Sequence, residues 1–279
     1  MMYNELLDQL ESRAADRIKE EPGDYIQDGL LYCGKCRTQK QVRITFAGRE
    51  RTPMCLCQCA AERLEKEEAE RREQKRKERI DQRRNEAFPD ASLKNSTFEN
   101  SVDANETGMT VARNYVDKFP EFLKSGRGLI FFGGVGTGKT YLAACIANAL
   151  IDKGYTALVT NFSRIVNTIR GMYEGKQEYL DSLNEYDLLV LDDFAAERDT
   201  EYMNEQVYNI LDNRLRSGLP LILTTNLTAS ELKEPNGITR QRLHSRIYEM
   251  CFPVEIVGKD RRRKDLSQNY ARYKEMLGL

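Results

Sequence analysis

The chain contains the sequence Gly133-Gly134-Val135-Gly136-Thr137-Gly138-Lys139-Thr140, which matches the pattern G-x-x-x-x-G-K-[ST] at every position. Triphosphates bind where backbone N–H groups can approach several anionic oxygens, and glycine permits that approach because it has no Cβ. In such a loop, Lys139 contacts the β- and γ-phosphates, and the Thr140 hydroxyl binds a Mg²⁺ ion that bridges the same oxygens. This stretch therefore predicts a binding site for ATP and Mg²⁺.

The residues on either side of this loop have the pattern of a strand and a helix. Residues 128–132 form a short apolar run before the loop, and residues 141–150 have the composition of a helix after it. The pattern continues along the chain, with predicted strands at 157–160, 188–191, 221–225 and 254–257 and predicted helices at 162–174 and 204–216. Alternating strands and helices predict a three-layer α/β domain with a parallel sheet.

A second catalytic signal is the pair of carboxylates that follows the predicted strand at 188–191. Asp192 and Asp193 lie at its carboxyl end, which is where ligands bind in parallel sheets. After a phosphate loop, such a pair is typical of a Walker B segment, in which Asp192 binds Mg²⁺ and Asp193 orients or deprotonates the attacking water. An acidic pair can also form a turn or cap a helix, so the preceding phosphate loop is what favours the catalytic interpretation.

Three further residues are candidates for detecting the γ-phosphate. Asn226 follows the predicted strand at 221–225 and could reach the γ-phosphate or its attacking water, although a cap for the next helix is the alternative. Phosphoryl transfer develops negative charge that an arginine of a neighbouring subunit can stabilise. We predict that Arg246 acts in this way and that Arg262 contacts the nucleotide of its own subunit. Solvated surface positions are the alternative for both arginines.

The amino-terminal part of the chain is rich in cysteine. Cys33 and Cys36 form one C-x-x-C pair, and Cys55, Cys57 and Cys59 follow about twenty residues later. Zn²⁺ in structural sites takes four ligands in a tetrahedron, so one of the last three cysteines would be surplus, and the spacing leaves open which one. The alternative is a set of free thiols, but a short module with little apolar core favours a metal. We therefore expect a zinc module.

Composition divides the chain into three parts. The cysteine-rich module occupies 1–60, a run of charged residues predicts a helical linker at 61–90, and the ATPase domain occupies 91–279. A coiled coil is the alternative for the linker, but its few apolar residues do not sustain a heptad seam. Ion pairs such as Glu62 with Lys66 would support a solvated helix instead. Another helix is predicted at about 104–123.

The whole-chain composition excludes several classes of protein. The formal net charge of −1 hides strong local asymmetries, so bulk charge says little about partners. No long uncharged apolar run is present, and the amino terminus lacks the features of a signal peptide, so a cytoplasmic protein without a membrane partner is expected. His244, the single histidine, is expected at the surface or in an interface, while Cys145 and Cys251 are expected in the core.

The order of these motifs resembles the DnaC/IstB group of AAA+ ATPases. The phosphate loop, the acidic pair, Thr224-Thr225-Asn226 and Ser245-Arg246 occur in the order found in that group. The segment Asn95-Ser96-Thr97-Phe98-Glu99-Asn100 is similar to the N-A-T-F-E-N stretch of DnaC-like and DnaI-like helicase loaders, which implies a position beside the nucleotide base. The resemblance covers roughly residues 95 to 265. It implies an AAA+ domain that hydrolyses ATP weakly and self-associates.

The resemblance also implies a function. Members of the group load the hexameric replicative DNA helicase onto single-stranded DNA, or assist a transposase in the IstB branch. A cysteine-rich amino-terminal module resembles that of DnaI-type loaders, in which it contacts the helicase, and this favours helicase loading over the transposase alternative. A small-molecule kinase is a third class, but it would need an acceptor pocket and a lid rich in catalytic arginines, whereas Asn226, Arg246 and the cysteine-rich module suit contact with macromolecules. Phe162, Tyr173 and Tyr179 are candidate stacking residues for single-stranded DNA, although core packing is favoured for Phe162.

Overall fold

A computed structural model of the 279-residue chain describes residues 20–46, 48–101, 106–196, 200–235, 237–258, 260, 270 and 272–279. The chain separates into two compact units, Met1–Glu78 and Arg79–Leu279. The boundary falls within the helix α1, which runs over Gln58–Ala87. The division into a module, a separate linker and an ATPase domain remains a prediction. None of the helices among the described residues is both long and apolar enough to cross a membrane.

A five-stranded parallel sheet forms the centre of the Arg79–Leu279 unit, as predicted. Its strand order is β6-β7-β8-β5-β9. The strands are β5 Gly128–Phe132, β6 Ala157–Asn161, β7 Leu188–Phe194, β8 Leu221–Thr225 and β9 Cys251–Glu255. The strand β5 therefore lies between β8 and β9, and its carboxyl end delivers the phosphate loop beside the ends of β7 and β8.

Helices cover both faces of this sheet, because successive side chains of each strand point to opposite sides. In β5, Leu129 and Phe131 pack in one core cluster, whereas Ile130 and Phe132 pack in another. The helices after β5 are α4 Lys139–Asp152, α5 Phe162–Gly171, α6 Lys176–Ser182, α7 Glu201–Ser217, α8 Ala229–Lys233 and α9 Ile238–Met250. The three-layer α/β architecture is confirmed.

The structure corrects three of the predicted boundaries. The helix predicted at 104–123 is divided into α2 Glu106–Asp117 and α3 Phe119–Ser125. Pro120 lies in the first turn of α3, where its missing N–H is tolerated, but its ring prevents a continuous helix through that point. The helix predicted at 162–174 ends at Gly171, and the last strand is Cys251–Glu255 rather than 254–257.

A buried arginine joins the entries to β7 and β8. Arg214, on α7, is 1% exposed and donates to the carbonyl oxygens of Pro220, Leu183, Tyr186 and Asp187 at 2.9 to 3.3 Å. Burial lowers the pKa of its guanidinium to about 10, which leaves the group charged near neutral pH. Because a buried donor is costly when it is unpaired, these carbonyls and Arg214 stabilise one another. The contacts secure the two strands that carry the predicted catalytic residues.

In the described part of the Met1–Glu78 unit, two short hairpins precede the first part of α1. Strands β1 Tyr25–Gln27 and β2 Leu30–Tyr32 pair antiparallel, as do β3 Ile44–Phe46 and β4 Arg49–Arg51. The helix α1 carries spaced charges, with Arg72 paired to Glu68 at 3.1 Å. The predicted pair of Glu62 with Lys66 is not among the described ion pairs. Glu62 instead accepts a hydrogen bond from Gln58.

Candidate functional site: a nucleotide site and a thiol cluster

The phosphate loop connects β5 to α4 with a backbone that glycine makes possible. Gly133 and Gly138 have φ angles of 132° and 98°, in the region that side chains disfavour. A Cβ on Gly133 would lie 2.6 Å from the carbonyl oxygen of Ile256. Thr137 donates from its hydroxyl to the Gly134 carbonyl at 3.0 Å, which closes the loop on itself. The glycines thus allow a tight loop directly before the amino terminus of α4. Helix amino termini bind phosphate groups because their backbone N–H groups are free to donate.

Lys139 is buried within this loop and reaches a second strand end. Its Nζ donates to the carbonyl oxygens of Gly133 and Gly134 at 3.0 and 2.7 Å and to Asn226 Oδ1 at 2.8 Å. Asn226 comes directly after β8, so the parallel sheet brings it to the loop across 87 residues of sequence. The structure therefore places the predicted phosphate-binding lysine and the predicted γ-phosphate sensor in direct contact.

The predicted Mg²⁺ ligands are also brought together. Asp192, near the end of β7, accepts at Oδ1 from the Thr140 hydroxyl at 2.7 Å and from the Thr224 hydroxyl. Burial raises the pKa of the Asp192 carboxyl, and the hydrogen bonds from Thr224 and Thr140 act in the opposite direction. Carboxylate and hydroxyl oxygens are the hard ligands that Mg²⁺ prefers, so this donor set fits the ion.

Asp193 lies on a β-bulge beside Asp192. The register of β7 against β8 shifts between Leu191 and Phe194, and Asp193 has a φ of 55°. This left-handed conformation is uncommon for a residue with a side chain and concentrates at functional sites. As a result, Asp193 is exposed at the strand end while Asp192 is half-buried. The bulge thus gives adjacent carboxylates different environments, as different roles in hydrolysis require.

Of the two predicted arginines, Arg246 is the one that the structure describes, and its contacts lie outside this group. Arg246, on α9, contacts Asp212 at 3.3 Å and Glu249 at 3.1 Å, rather than the phosphate loop. Hydrogen bonds to Tyr208 and Glu249 raise the pKa of its guanidinium, so Arg246 stays charged. A position away from its own loop is compatible with action on a neighbouring subunit. Arg262 lies outside the described residues, so its predicted role stays a prediction.

The structure corrects the prediction for His244. We expected a surface or interface position, but His244 is 6% exposed and lies within bonding distance of the Leu232 carbonyl, with its Nδ1 at 3.0 Å. Its ring centroid is 5.9 Å from that of Phe194, and burial lowers the pKa of the imidazole.

Cys145 and Cys251 are buried as expected. Phe162 is fully buried and Tyr173 is exposed, so only Tyr173 of this pair is open to a stacking partner.

Four of the five amino-terminal cysteines form one cluster. The sulfur atoms of Cys33, Cys36, Cys57 and Cys59 all lie within 4.8 Å of one another. A tetrahedral zinc site with Zn–S bonds of about 2.3 Å has S–S edges of about 3.8 Å, so these positions fit the ion. Cys55 lies outside this cluster, and its thiol donates to the Gln39 carbonyl at 3.6 Å. The four clustered cysteines are therefore the candidate ligands among the five that the spacing offered.

The thiols of the cluster differ in acidity. A hydrogen bond from the Thr38 hydroxyl, followed by backbone amides, lowers the pKa of Cys36 to about 5. Hydrogen bonds that Cys59 shares with Cys57 and Cys33 raise the pKa of Cys59 to about 12. A divalent cation favours the thiolate form of every ligand, so binding would release protons from the more basic thiols.

A buried ion pair supports the first cysteine pair. Asp24 and Lys40 form a salt bridge with side chains 5% and 4% exposed. Asp24 also accepts from the backbone N–H of Gly34, between Cys33 and Cys36, at 3.1 Å. The backbone N–H of Glu21 and the Lys40 ammonium lower the pKa of the Asp24 carboxyl to about 2. This support was not predicted, because nothing in the spacing of a lone aspartate and lysine indicates burial.

Two buried threonines of β8 have roles that the sequence did not predict. Thr224 contacts Asp192 and Asp193, and Thr225 donates to the Phe194 carbonyl at 2.7 Å. Both residues are fully buried. The only available signal was their position immediately before Asn226, because polar residues in an otherwise apolar strand of a sheet need hydrogen-bond partners.

Comparison with known proteins places this geometry in a family. The profile of "IstB-like ATP binding protein" matches residues 51–269. The "Replicative helicase loader DnaI" of Bacillus subtilis is 28% identical over 188 residues, or 61% of this chain and 59% of that protein. The "Replicative helicase loader DnaC" of Escherichia coli K12 is 30% identical over 181 residues, or 60% of this chain and 73% of that protein.

Solved structures agree with the fold. "Crystal Structure of the DnaI" superposes with a TM-score of 0.52 at 26% identity and covers 61% of this chain and 95% of that one. "Crystal structure of the DnaC helicase loader" has a TM-score of 0.50 at 24% identity and covers 60% and 99%. The aligned stretch spans less than two thirds of the Bacillus protein's length. The family profile covers more than half of the 279 residues, so this chain belongs to the IstB-like ATP-binding family of P-loop AAA+ proteins.

Proposed function

We propose that this protein is an ATP-hydrolysing loader that binds a replicative DNA helicase and delivers it to single-stranded DNA. One observation carries the ATP part: Lys139, Thr140, Asp192 and Asn226 meet at the carboxyl end of the sheet. The helicase part is supported by the names of the DnaI and DnaC relatives and by the four-thiol cluster in the other unit. We propose that it works in the cytoplasm.

The residues of the site divide the work of hydrolysis. Lys139 binds the β- and γ-phosphate oxygens, which replace the neutral carbonyl and amide oxygens that it now contacts. Thr140 and Asp192 would hold Mg²⁺, which would supply positive charge opposite the phosphate oxygens. Asp193 orients the attacking water or accepts its proton, and Asn226 reports whether the γ-phosphate is present.

Two arginines make hydrolysis depend on assembly and on the bound nucleotide. Arg246 is charged and lies away from its own phosphate loop, so we propose that it completes the site of a neighbouring copy. We propose that Arg262 contacts the nucleotide of its own chain. Turnover by the isolated protein is therefore weak, and self-association, the helicase or DNA stimulates it.

We propose that the thiol cluster binds Zn²⁺ and that its unit contacts the helicase. The matched variants for this proposal come from the chain itself, because Cys55 lies outside the cluster. Size-exclusion chromatography with light scattering would measure complex formation between the full-length protein and the host helicase, with ATP or ADP. We expect Cys33→Ser combined with Cys36→Ser to lose the complex and Cys55→Ser to retain it.

A helper of a transposase is the second candidate, and it is supported by the IstB-like name of the family profile, more weakly than the DnaI and DnaC relatives support the loader. The same light-scattering measurement separates the two functions. A wild-type complex with the helicase that Cys33→Ser and Cys36→Ser abolish supports the loader. A wild-type protein that binds no helicase with either nucleotide contradicts the loader, and a complex with the transposase of the same host would then support the helper.

A further inference from the structure

We propose that Thr224 is a positioning residue that sets both carboxylates of the acidic pair through a single hydroxyl group. This inference rests on the proposed ATP hydrolysis and adds a residue to it. Thr224 is fully buried in β8, the strand that pairs with β7 on the side of the phosphate loop. Its hydroxyl lies between the side chain of Asp192 and the backbone of Asp193.

The partners of this hydroxyl determine the direction of each hydrogen bond. The backbone N–H of Asp193 can only donate, so Thr224 Oγ1 accepts from it at 3.0 Å. The hydroxyl has one hydrogen, which is left for Asp192 Oδ1. The Asp193 amide therefore donates to the Thr224 hydroxyl, which in turn donates to the Asp192 carboxylate. Such chains strengthen each member, because each bond polarises the next.

The bond to the Asp193 amide stabilises the bulge. Asp193 has a φ of 55° at the point where the register of β7 against β8 shifts, and this conformation is strained for a residue with a side chain. In a bulge the extra residue loses its ladder partner, and here the Thr224 side chain provides the missing acceptor. The exposed position of the Asp193 carboxylate thus depends on a side chain of the neighbouring strand.

The bond to Asp192 fixes the other carboxylate. Asp192 Oδ1 is held from the loop by the Thr140 hydroxyl at 2.7 Å and from β8 by Thr224. Outer-shell partners of this kind orient a metal ligand, and their loss typically costs about 10–100-fold in metal affinity or activity. Thr224 therefore links the proposed Mg²⁺ ligand to the residue that acts on water.

Thr225 is a matched control in the same strand. It is also fully buried, and its hydroxyl is also hydrogen-bonded, but to the Phe194 carbonyl at 2.7 Å and the Leu227 amide at 3.2 Å. Neither contact is with a carboxylate of the pair. Replacing either threonine by valine removes one buried hydroxyl and keeps the β-branched shape. A difference between the two variants therefore reports the acidic pair rather than the stability of β8.

The test compares Thr224→Val, Thr224→Ser and Thr225→Val in the full-length protein. The first measurement is the kcat and KM for ATP hydrolysis in the presence of the helicase and single-stranded DNA. The second is the Mg²⁺ concentration at which binding of a fluorescent ATP analogue is half-maximal, which we call the Mg²⁺ midpoint. For Thr224→Val we expect kcat to fall about 10–100-fold and the Mg²⁺ midpoint to rise about tenfold, with KM for ATP within about threefold. Thr224→Ser restores both values, and Thr225→Val keeps the wild-type Mg²⁺ midpoint.

The inference is overturned if Thr224→Val and Thr225→Val have the same Mg²⁺ midpoint, or if Thr224→Ser is as impaired as Thr224→Val. If Thr224→Val does not fold, Thr224→Ala takes its place in both measurements. A wild-type protein that binds the ATP analogue but hydrolyses no ATP with helicase and DNA contradicts the proposed hydrolysis. In that case the Mg²⁺ midpoints still decide the role of Thr224.

Discussion

The Arg79–Leu279 unit forms its candidate site at the edge of a buried sheet. The described part of the Met1–Glu78 unit forms its candidate site from four thiols with a small apolar core around them. In the larger unit, the strands that carry the acidic pair and Asn226 are buried on both faces. In the smaller unit, the buried apolar residues among those described are Leu30, Leu31, Cys33 and Cys57. Half of that core consists of proposed metal ligands. A large core orients a site before its ligand arrives, whereas a small unit needs the ligand in order to fold.

The largest expected effect is loss of the metal from the smaller unit. Replacing Cys33 and Cys36 by serine removes two of the four thiols, and structural zinc contributes about 10–16 kcal/mol of apparent free energy to small domains. We expect the variant to lose zinc and hydrogen-exchange protection in residues 20–57, while residues 128–256 keep theirs. Cys55→Ser is the control. Equal zinc loss from Cys55→Ser would contradict the assignment of the four ligands.

The second largest effect is expected when the proposed contribution of Arg246 to a neighbouring nucleotide site is removed. Arg246→Ala removes a charge that we propose acts on a neighbouring copy, and arginines in this role contribute about 10³-fold or more to kcat. We expect stimulated ATP turnover to fall by about that factor, while nucleotide binding by the isolated protein is unchanged. Arg242→Ala, an exposed arginine of the same helix, is the control. Normal stimulated turnover by Arg246→Ala would rule out the assignment.

Stability of the larger unit is the third point of comparison. Arg214→Met removes the donor to two buried and two part-buried carbonyl groups, so we expect the free energy of unfolding to fall by about 3 kcal/mol. Arg216→Met, on the same helix but with a side chain 80% exposed, should change it by less than about 0.5 kcal/mol. Denaturant unfolding measures both. Similar losses for the two variants would show that the buried network does not stabilise the strand entries.

The smallest expected effect concerns the ion pair beside the thiol cluster. Asp24→Asn keeps the shape of the side chain but removes the charge opposite Lys40 and weakens the bond to Gly34. Because support of this kind orients metal ligands, we expect zinc affinity to fall about tenfold. Competition with a chromophoric chelator measures it, and Asp28→Asn in the neighbouring turn is the control. An unchanged affinity in Asp24→Asn would limit the pair to a structural role.

Features formed by residues close together in the sequence were predicted well, whereas features formed by residues far apart in the sequence were not. The phosphate loop is a local motif, so its position between a strand and a helix was predicted correctly. Lys139 and Asn226 were predicted as separate candidates, and only the parallel register of β5 and β8 makes them neighbours. The role of Thr224 was missed, because it depends on a bulge in another strand. His244 was placed wrongly, because Arg242 and Arg246, two residues away on either side, lie on a different face of α9 from the buried ring.

By itself, the sequence determined the class of fold, the phosphate loop and the acidic pair, since these depend on residue types at short spacing and on alternating apolar runs. The tertiary structure decided which four of the five cysteines converge, which residues support the acidic pair and that Arg246 lies away from its own loop. The physical reason is that strand order, register and bulges join residues that are distant in the chain. No local pattern encodes those distances.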